Sequence, residues 1–227
     1  MGDSPVLVRL LQLSSPALPI GAYSYSQGLE WMVESGAVHD AASLKDWIAD
    51  LLHNVLAHGE GPVLWRLLDA AERGDGAAFA EWNAWFRASR EGAELRAETL
   101  QMGGSLGKLL TDLDVLDDFA QTQIASCAPV TLPAAFALGA RALDIPSCDA
   151  VTAYLWTWLE NQVLAALKAM AIGQVAGQKL LLALGAAIPG IVDVSHQCDD
   201  DDVSSFAPGL AIASARHETQ HSRLFRS

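Results

Sequence analysis

Apolar residues recur at helical spacing along most of the chain. In the clearest stretch, residues 41–57, seven apolar side chains share one stripe, while Lys45, Asp46 and Asp50 lie on the opposite face. Asp40, directly before this stretch, belongs to the residue types that favour the N-cap of a helix. The pattern predicts an all-α fold, a single-domain bundle of about eight to ten helices over residues 1–227.

Proline and glycine divide the rest of the chain into further helices. Proline suits the first turn of a helix, and glycine commonly follows the last turn. We expect breaks before Pro62 and at Pro189-Gly190, and a close approach of another backbone at Gly103 and Gly107. The predicted helices cover residues 62–74, a segment around residues 79–86 that ends near 92, residues 93–112, a segment that starts near 133, and residues 148–171, 174–187 and 208–218.

Composition and charge favour protein partners. Asp, Glu, Lys and Arg make up only 18% of the chain, compared with roughly 25% in an average soluble domain. We therefore expect part of the surface to be covered by other proteins. The 14 basic and 27 acidic residues give a net charge of −13, and such a field repels the phosphates of nucleic acid.

The distribution of apolar residues and cysteines indicates a cytoplasmic protein. The longest weakly charged stretch, residues 161–192, is interrupted by Lys168, Lys179 and Pro189, so we predict no membrane-spanning helix. No basic region precedes Val6, which argues against a secretory signal. Three cysteines at wide spacings suit a reducing compartment better than a disulfide framework.

Residues 103–108 superficially resemble a phosphate-binding loop but lack its spacing. The pattern requires a glycine five positions before Gly107, where Met102 stands, and Ser or Thr after Lys108, where Leu109 stands. No strand is predicted before this segment. We therefore expect no nucleotide site in this chain.

The end of the sequence contains a literal H-E-x-x-H, formed by His217, Glu218 and His221. On a helix this spacing places two imidazoles on one face, with the Glu as general base of a zinc hydrolase. A zinc hydrolase or metal-binding protein is therefore the alternative function. Against it, the motif stands within the last turns of the chain, where we expect no supporting helix for a third ligand.

A second candidate metal site combines His196, Cys198 and the four aspartates at 199–202. Mixed nitrogen, sulfur and carboxylate donors suit a metal such as nickel or zinc. The simpler interpretation is a solvated acidic loop that contains a cysteine, and this is the one we favour.

The two ends of the chain carry the most specific motifs. Residues 18–30 read LPIGAYSYSQGLE, and residues 217–227 read HETQHSRLFRS. Together these segments closely resemble the urease accessory protein F family. The likeness also extends to the length of the chain and its helical character.

The resemblance implies an all-α, non-enzymatic protein that helps to insert nickel into urease. In that family the protein forms a homodimer, bridges accessory protein D or H to the GTPase accessory protein G, and docks with them on apo-urease. It is viewed as a regulator of the GTPase. The resemblance therefore implies that G binds GTP, that the complex handles nickel, and that this chain binds no cofactor directly.

The resemblance also implies partner-binding roles for the N-terminal segment 1–30 and the C-terminal tail 216–227. Arginine offers fixed donors to carbonyls or carboxylates, and adjacent apolar side chains suit a groove on a partner. The residues that match the family's motifs are Tyr23, Tyr25, Ser26, Glu30, Arg216, Arg223, Leu224, Phe225, Arg226 and Ser227.

Overall fold

The computed structural model describes residues 4–227, which form a helical bundle without a strand in that range. The predicted all-α class is confirmed, while residues 1–3 of the predicted domain lie outside the described part. A π-helix, Leu52–Glu60, joins α3 to α4, and short 3₁₀ turns span Ala22–Ser24 and Asp200–Asp202. The helices are α1 Ser4–Leu13, α2 Leu29–Glu34, α3 Ala41–Leu51, α4 Gly61–Arg73, α5 Gly76–Ser89, α6 Ala93–Asp112, α7 Asp118–Ser126, α8 Leu132–Ala142, α9 Ser147–Ala169, α10 Gln174–Gly185, α11 Ile188–Gln197 and α12 Pro208–His217.

The start of α3 follows the local sequence signals. The Asp40 side chain accepts a hydrogen bond from the backbone N–H of Ser43 at 2.8 Å, and the Ser43 hydroxyl accepts one from the Asp40 N–H at 3.1 Å. This reciprocal capping box satisfies two of the donors that a helix start leaves free. The predicted N-cap is confirmed.

The predicted break before Pro62 is wrong, because the π-helix carries the chain from α3 into α4 without interruption. Proline has no N–H, and its ring conflicts with the carbonyl four residues earlier. That carbonyl belongs to His58, and here it accepts a hydrogen bond from the Ser204 N–H at 2.9 Å. The distant loop thus satisfies the group that Pro62 cannot, and Glu60 is buried in the interior.

The core is built around α4, which packs against α5, α8 and α9. Leu64 and Leu67 of α4 are fully buried. Helix α6 packs on α8, and a Cβ atom at Gly103 would collide with the carbonyl oxygen of Val130. The predicted close approach is confirmed at Gly103, whereas Gly107 makes only ordinary side-chain contacts.

Helices α10 and α11 differ from the prediction in two respects. The break lies at residues 186–187, and Pro189 stands in the first turn of α11, where a proline is tolerated. By length and composition alone, Gln174–Gln197 is also apolar enough to cross a membrane, which the sequence-based exclusion overlooked. Core helices of soluble proteins meet the same criterion, and here Leu180 and Ile191 are buried in the bundle.

Candidate partner-binding site

The N-terminal motif turns sharply into α2 and directs Glu30 towards the interior. Gln27 and Gly28 have φ angles of 52° and 78°, in the left-handed region. A Cβ atom at Gly28 would lie 2.9 Å from the Cβ of Ala213, so only glycine allows α12 to approach this closely. Glu30 follows in the first turn of α2 and is 6% exposed. The sequence thereby brings the two ends of the chain together.

Glu30 holds the C-terminal tail through its carboxylate. Oε1 accepts a hydrogen bond from the backbone N–H of Leu224 at 2.6 Å, and Oε2 accepts one from the N–H of Phe225 at 3.0 Å. Nε2 of His217 lies 3.1 Å from the same Oε2. A buried carboxylate is stabilised when several donors converge on it. Glu30 therefore fixes the backbone of the tail at its apolar pair.

His217 is fully buried between two carboxylates. Its Nδ1 lies 2.6 Å from Oε2 of Glu94, opposite the contact of Nε2 with Glu30. Each ring nitrogen therefore has a carboxylate as its hydrogen-bond partner. Arg223 then donates from Nη1 to Oε1 of Glu94 at 2.6 Å. Two carboxylates and two basic groups therefore alternate along the docked tail.

The end of the tail is held at a second point. The N–H of Ser26 donates to the main-chain oxygen of Ser227 at 2.7 Å. The Ser227 hydroxyl donates to Oε2 of Glu98 at 2.7 Å, and Nε2 of Gln27 donates to Oε1 at 2.8 Å. Oε1 of Gln27 in turn accepts from Nε1 of Trp158 at 2.7 Å. Glu98 thus connects the N-terminal motif, the tail and, through Gln27, helix α9.

On the solvent side of these buried contacts, the tail and the N-terminal motif form one exposed surface. Leu224 is 70% exposed and Tyr23 is 67% exposed. Nζ of Lys168 lies 5.6 Å from the centre of the Tyr23 ring and 5.7 Å from that of Phe225. The N–H of Arg226 donates to the carbonyl of Ser24 at 2.8 Å. Apolar and basic groups are therefore presented side by side on a protein of net charge −13.

The ten residues predicted for partner binding divide into two equal groups. The exposed ones are Tyr23, Arg216, Arg223, Leu224 and Arg226, and the buried ones are Tyr25, Ser26, Glu30, Phe225 and Ser227. The exposed group is available to a partner, whereas the buried group holds the tail in place. The partner-binding assignment itself stays a prediction.

Sequence reasoning missed the part that α6 plays in this site. Glu94 and Glu98 stand four residues apart and therefore share one helical face, where both contact the tail. This spacing was visible in the sequence. Acidic residues four apart usually mark a solvated face, however, so nothing local distinguished this pair from others.

The zinc-hydrolase interpretation of the H-E-x-x-H is wrong in its geometry. Helix α12 ends at His217, so Glu218 and His221 do not continue on one helical face. His221 is exposed, while His217 is enclosed by Glu30 and Glu94. Oε1 of Glu218 accepts a hydrogen bond from the N–H of Ala93 at 2.8 Å and so caps the start of α6. Within residues 4–227 no three His, Cys, Asp or Glu side chains form a group that suits a metal ion.

The second predicted metal site lies open on the surface, where His196 stands in the last turn of α11 and the acidic loop follows. The His196 ring packs on Trp65, with ring centroids 4.4 Å apart. Arg66 pairs with Asp200 at 2.6 Å and donates to the Cys198 carbonyl at 2.7 Å. Burial raises the pKa of the Cys198 thiol, which disfavours the thiolate that a metal requires. The contacts fit the favoured interpretation, a solvated acidic loop.

A cavity of about 80 Å³ lies beside Glu98 in the core. Its lining is mostly apolar, but it includes a buried polar group. Nη1 of Arg90 donates to Oε1 of Glu60 at 2.7 Å, and the Tyr154 hydroxyl donates to Oε2 at 2.9 Å. Glu98 has no ion-pair partner within the described residues. Burial raises its pKa to about 7.

Comparisons with known proteins give a consistent result. A family model described as UreF matches residues 38–185. A urease accessory protein UreF of Azoarcus sp. (strain BH72) is 52% identical over 97% of this chain and 95% of its own length. That of Methylobacillus flagellatus is 50% identical over the full length of both, and that of Janthinobacterium sp. (strain Marseille) is 50% identical over 99% of this chain and all of its own. The match to the Methylobacillus flagellatus relative, unlike that to the family model, also covers both end motifs.

Proposed function

Because the chain belongs to the UreF family of urease accessory proteins, we propose that it acts in urease maturation as a non-enzymatic, cytoplasmic scaffold. It bridges accessory protein D or H to the GTPase accessory protein G and regulates GTP hydrolysis by G. As a homodimer it docks with them on apo-urease. The complex handles nickel and G binds GTP, so this chain holds no cofactor of its own.

The observation that carries this proposal is the docked tail. Leu224 is exposed even though the backbone on both sides of it is fixed by Glu30. An apolar side chain on a fixed backbone loses little conformational entropy on binding. We assign the exposed surface around Tyr23 and Leu224 to the binding of G.

The basic residues around Leu224 define the character of the partner surface. Arg216, Arg223 and Arg226 are exposed within the tail. Arginine favours planar, bidentate contacts with carboxylates, and it is enriched at the centres of interfaces. The partner surface is therefore expected to combine a small apolar pocket with surrounding carboxylates.

The buried half of the site positions this surface without touching the partner. Phe225 is 6% exposed and Ser227 is 1% exposed. Their substitution changes recruitment by releasing the tail, whereas substitution of Leu224 changes it by removing a direct contact. Substitutions of the buried residues release the tail, whereas substitution of Leu224 leaves it docked. Hydrogen exchange of the tail amides distinguishes the two cases.

The test is co-purification of the full chain, and of a form ending at Ser222, with accessory proteins D and G, followed by urease activation. We expect both forms to recruit D and only the full chain to recruit G and activate urease. Circular dichroism must show the same helical content in both forms. Normal recruitment of G by the shortened form would overturn the proposal.

A matched pair of substitutions separates this surface from exposed apolar residues elsewhere. Leu224 is 70% exposed on the tail, and Leu182 is 80% exposed on α10. Leu224→Ala should weaken binding of G about tenfold or more, as expected for a central apolar contact. Leu182→Ala should leave G binding unchanged. Equal effects of the two variants would place G elsewhere.

A further inference from the structure

Glu98 is an unusual carboxyl because it is buried and forms no ion pair with the part of the chain that the structure describes. It is 5% exposed, and its two hydrogen-bond donors, Gln27 and Ser227, are both neutral. Glu30, on the other side of the tail, contacts His217. A buried carboxylate is costly unless opposite charge or strong donors compensate it. Glu98 is therefore a buried acidic contact of the tail whose ionisation its two hydrogen-bond donors do not neutralise.

The surroundings of Glu98 do not supply the missing charge. Across the cavity, Glu60 disfavours its ionisation and Arg90 favours it, and these two already pair with each other. Tyr154 of α9 and Tyr25 of the N-terminal motif also face it, and both are neutral near pH 7. The hydrogen bonds from Ser227 and Gln27 also favour the ionised form of Glu98, but its desolvation by burial is the largest effect and raises the pKa despite them.

We propose that Glu98 is a protonation-dependent latch: its neutral carboxyl holds Ser227 against the N-terminal motif, and its ionised form weakens the docking of residues 223–227. Ser227 is 1% exposed and its hydroxyl contacts the carboxyl directly, so departure of the tail admits water to Glu98. The serine hydroxyl can donate or accept, so the contact exists in both protonation states. What changes on ionisation is the free energy of keeping the carboxyl buried.

The direction of the effect follows from linkage. With the tail docked, the pKa of Glu98 is about 7, and its ordinary value is 4.5. Between these values the docked form keeps a proton that the released, hydrated form loses. Docking therefore weakens as pH rises through this window, by at most about tenfold per pH unit, and levels off above it.

The inference deepens the proposed function, because the tail is the surface assigned to G. A docked tail presents Leu224 on a fixed backbone, while a released tail must be ordered again on binding. The isolated chain nevertheless suffices for the test. A failed latch leaves the assignment of G intact, and failed recruitment of G leaves the latch intact.

The first measurement is hydrogen exchange of the amides of Leu224, Phe225 and Arg226, which donate to Glu30 and Ser24. It compares the full chain with Glu98→Gln from about pH 5 to about pH 8, corrected for intrinsic exchange. The ratio of their protection factors should fall with pH up to about 7 and then stay constant. A ratio independent of pH would overturn the proposal.

Taking the ratio isolates the contribution of Glu98. The contacts of His217, Glu30 and Glu94 at the tail are present in both proteins, so their contributions cancel. Glu160→Gln is the matched control. Burial raises the pKa of Glu160 as well, but this residue belongs to α9, whereas Glu98 belongs to α6. This variant should retain the profile of the unmodified chain.

A second measurement does not require the Gln variant to fold. By reciprocity, release of the tail must lower the titration midpoint of Glu98. Phe225→Ala, in the full chain, removes the buried side chain that anchors the tail. Carbon-13 NMR of the Glu98 carboxyl should show a midpoint near 7 in the unmodified chain and a lower one in this variant. Equal midpoints, with the tail shown to be released, would contradict the latch.

Discussion

Two parts of the molecule combine histidine with several acidic residues, and they behave in opposite ways. Around the tail, Glu30 and Glu94 enclose a fully buried His217, and their partners stand more than 100 positions away in the sequence. At residues 196–202 the aspartates are exposed, and among residues 4–227 only Arg66 reaches across to pair with one of them. The comparison shows that burial and long-range pairing, rather than the local density of donors, identify the organised site.

The largest effect is expected at Glu30. Glu30→Ala removes the carboxylate that accepts from the N–H groups of Leu224 and Phe225, and it leaves His217 beside a single carboxylate. Breaking one side of a buried ionic contact typically costs about 3 to 5 kcal/mol. Chemical denaturation should show a loss of this size in the free energy of unfolding, with released tail amides in hydrogen exchange.

Glu30→Gln is the matched control for that substitution. It keeps the shape and one acceptor oxygen but loses the charge, so its loss should be smaller than that of Glu30→Ala. If both variants lost less than about 1 kcal/mol, the range of exposed ion pairs, the tail cluster would be no more organised than residues 196–202.

The next effect is the pH dependence of stability that Glu98 produces. Above about pH 4.5 the unfolded chain loses the Glu98 proton, whereas the folded chain retains it up to about pH 7. Stability therefore falls as pH rises across this window, by up to about 3 kcal/mol, and the contribution is constant above it. The difference in unfolding free energy between the unmodified chain and Glu98→Gln should follow this course. A difference that instead rose with pH across this window would reverse the assigned sign.

The sequence predicted the fold well where local signals determine the structure. The apolar stripe and Asp40 predicted the position of α3, and Gly103 predicted a close backbone approach. The break before Pro62 was wrong because the Ser204 N–H, about 140 positions away, satisfies the carbonyl of His58. Such a contact depends on the assembled core, and no local pattern contains it.

The site was predicted only in part for the same reason. The end motifs indicated the right segments, but they did not show that Glu30 faces inward while Leu224 faces outward. The roles of Glu94 and Glu98 depend on how α6 packs against the tail. The alternative zinc-hydrolase hypothesis required the H-E-x-x-H to be helical, yet α12 ends at its first histidine.

A smaller effect is expected at Glu218, where the two interpretations of the H-E-x-x-H differ directly. Its carboxylate caps α6 through the N–H of Ala93, so Glu218→Ala should cost about 1 kcal/mol of stability. A zinc hydrolase would instead lose its general base in this variant. We expect no stoichiometric zinc in the purified protein, by elemental analysis, and an unchanged midpoint of thermal unfolding on addition of zinc. If the purified protein bound zinc and His221→Ala abolished this binding, the zinc-hydrolase hypothesis would stand again.

The smallest effect is expected in the loop at residues 196–202. Asp200→Ala breaks the ion pair with Arg66, but the Asp200 side chain is 75% exposed, so water already screens the interaction. The loss of stability should lie below about 1 kcal/mol, the usual range for surface pairs. For nickel, the unmodified chain and Cys198→Ser should show the same weak binding in a titration, because burial raises the pKa of the Cys198 thiol and so disfavours the thiolate that a metal requires. Tight nickel binding that disappeared with Cys198→Ser would show that open, local donors suffice for a site, and it would remove the contrast between this loop and the enclosed tail.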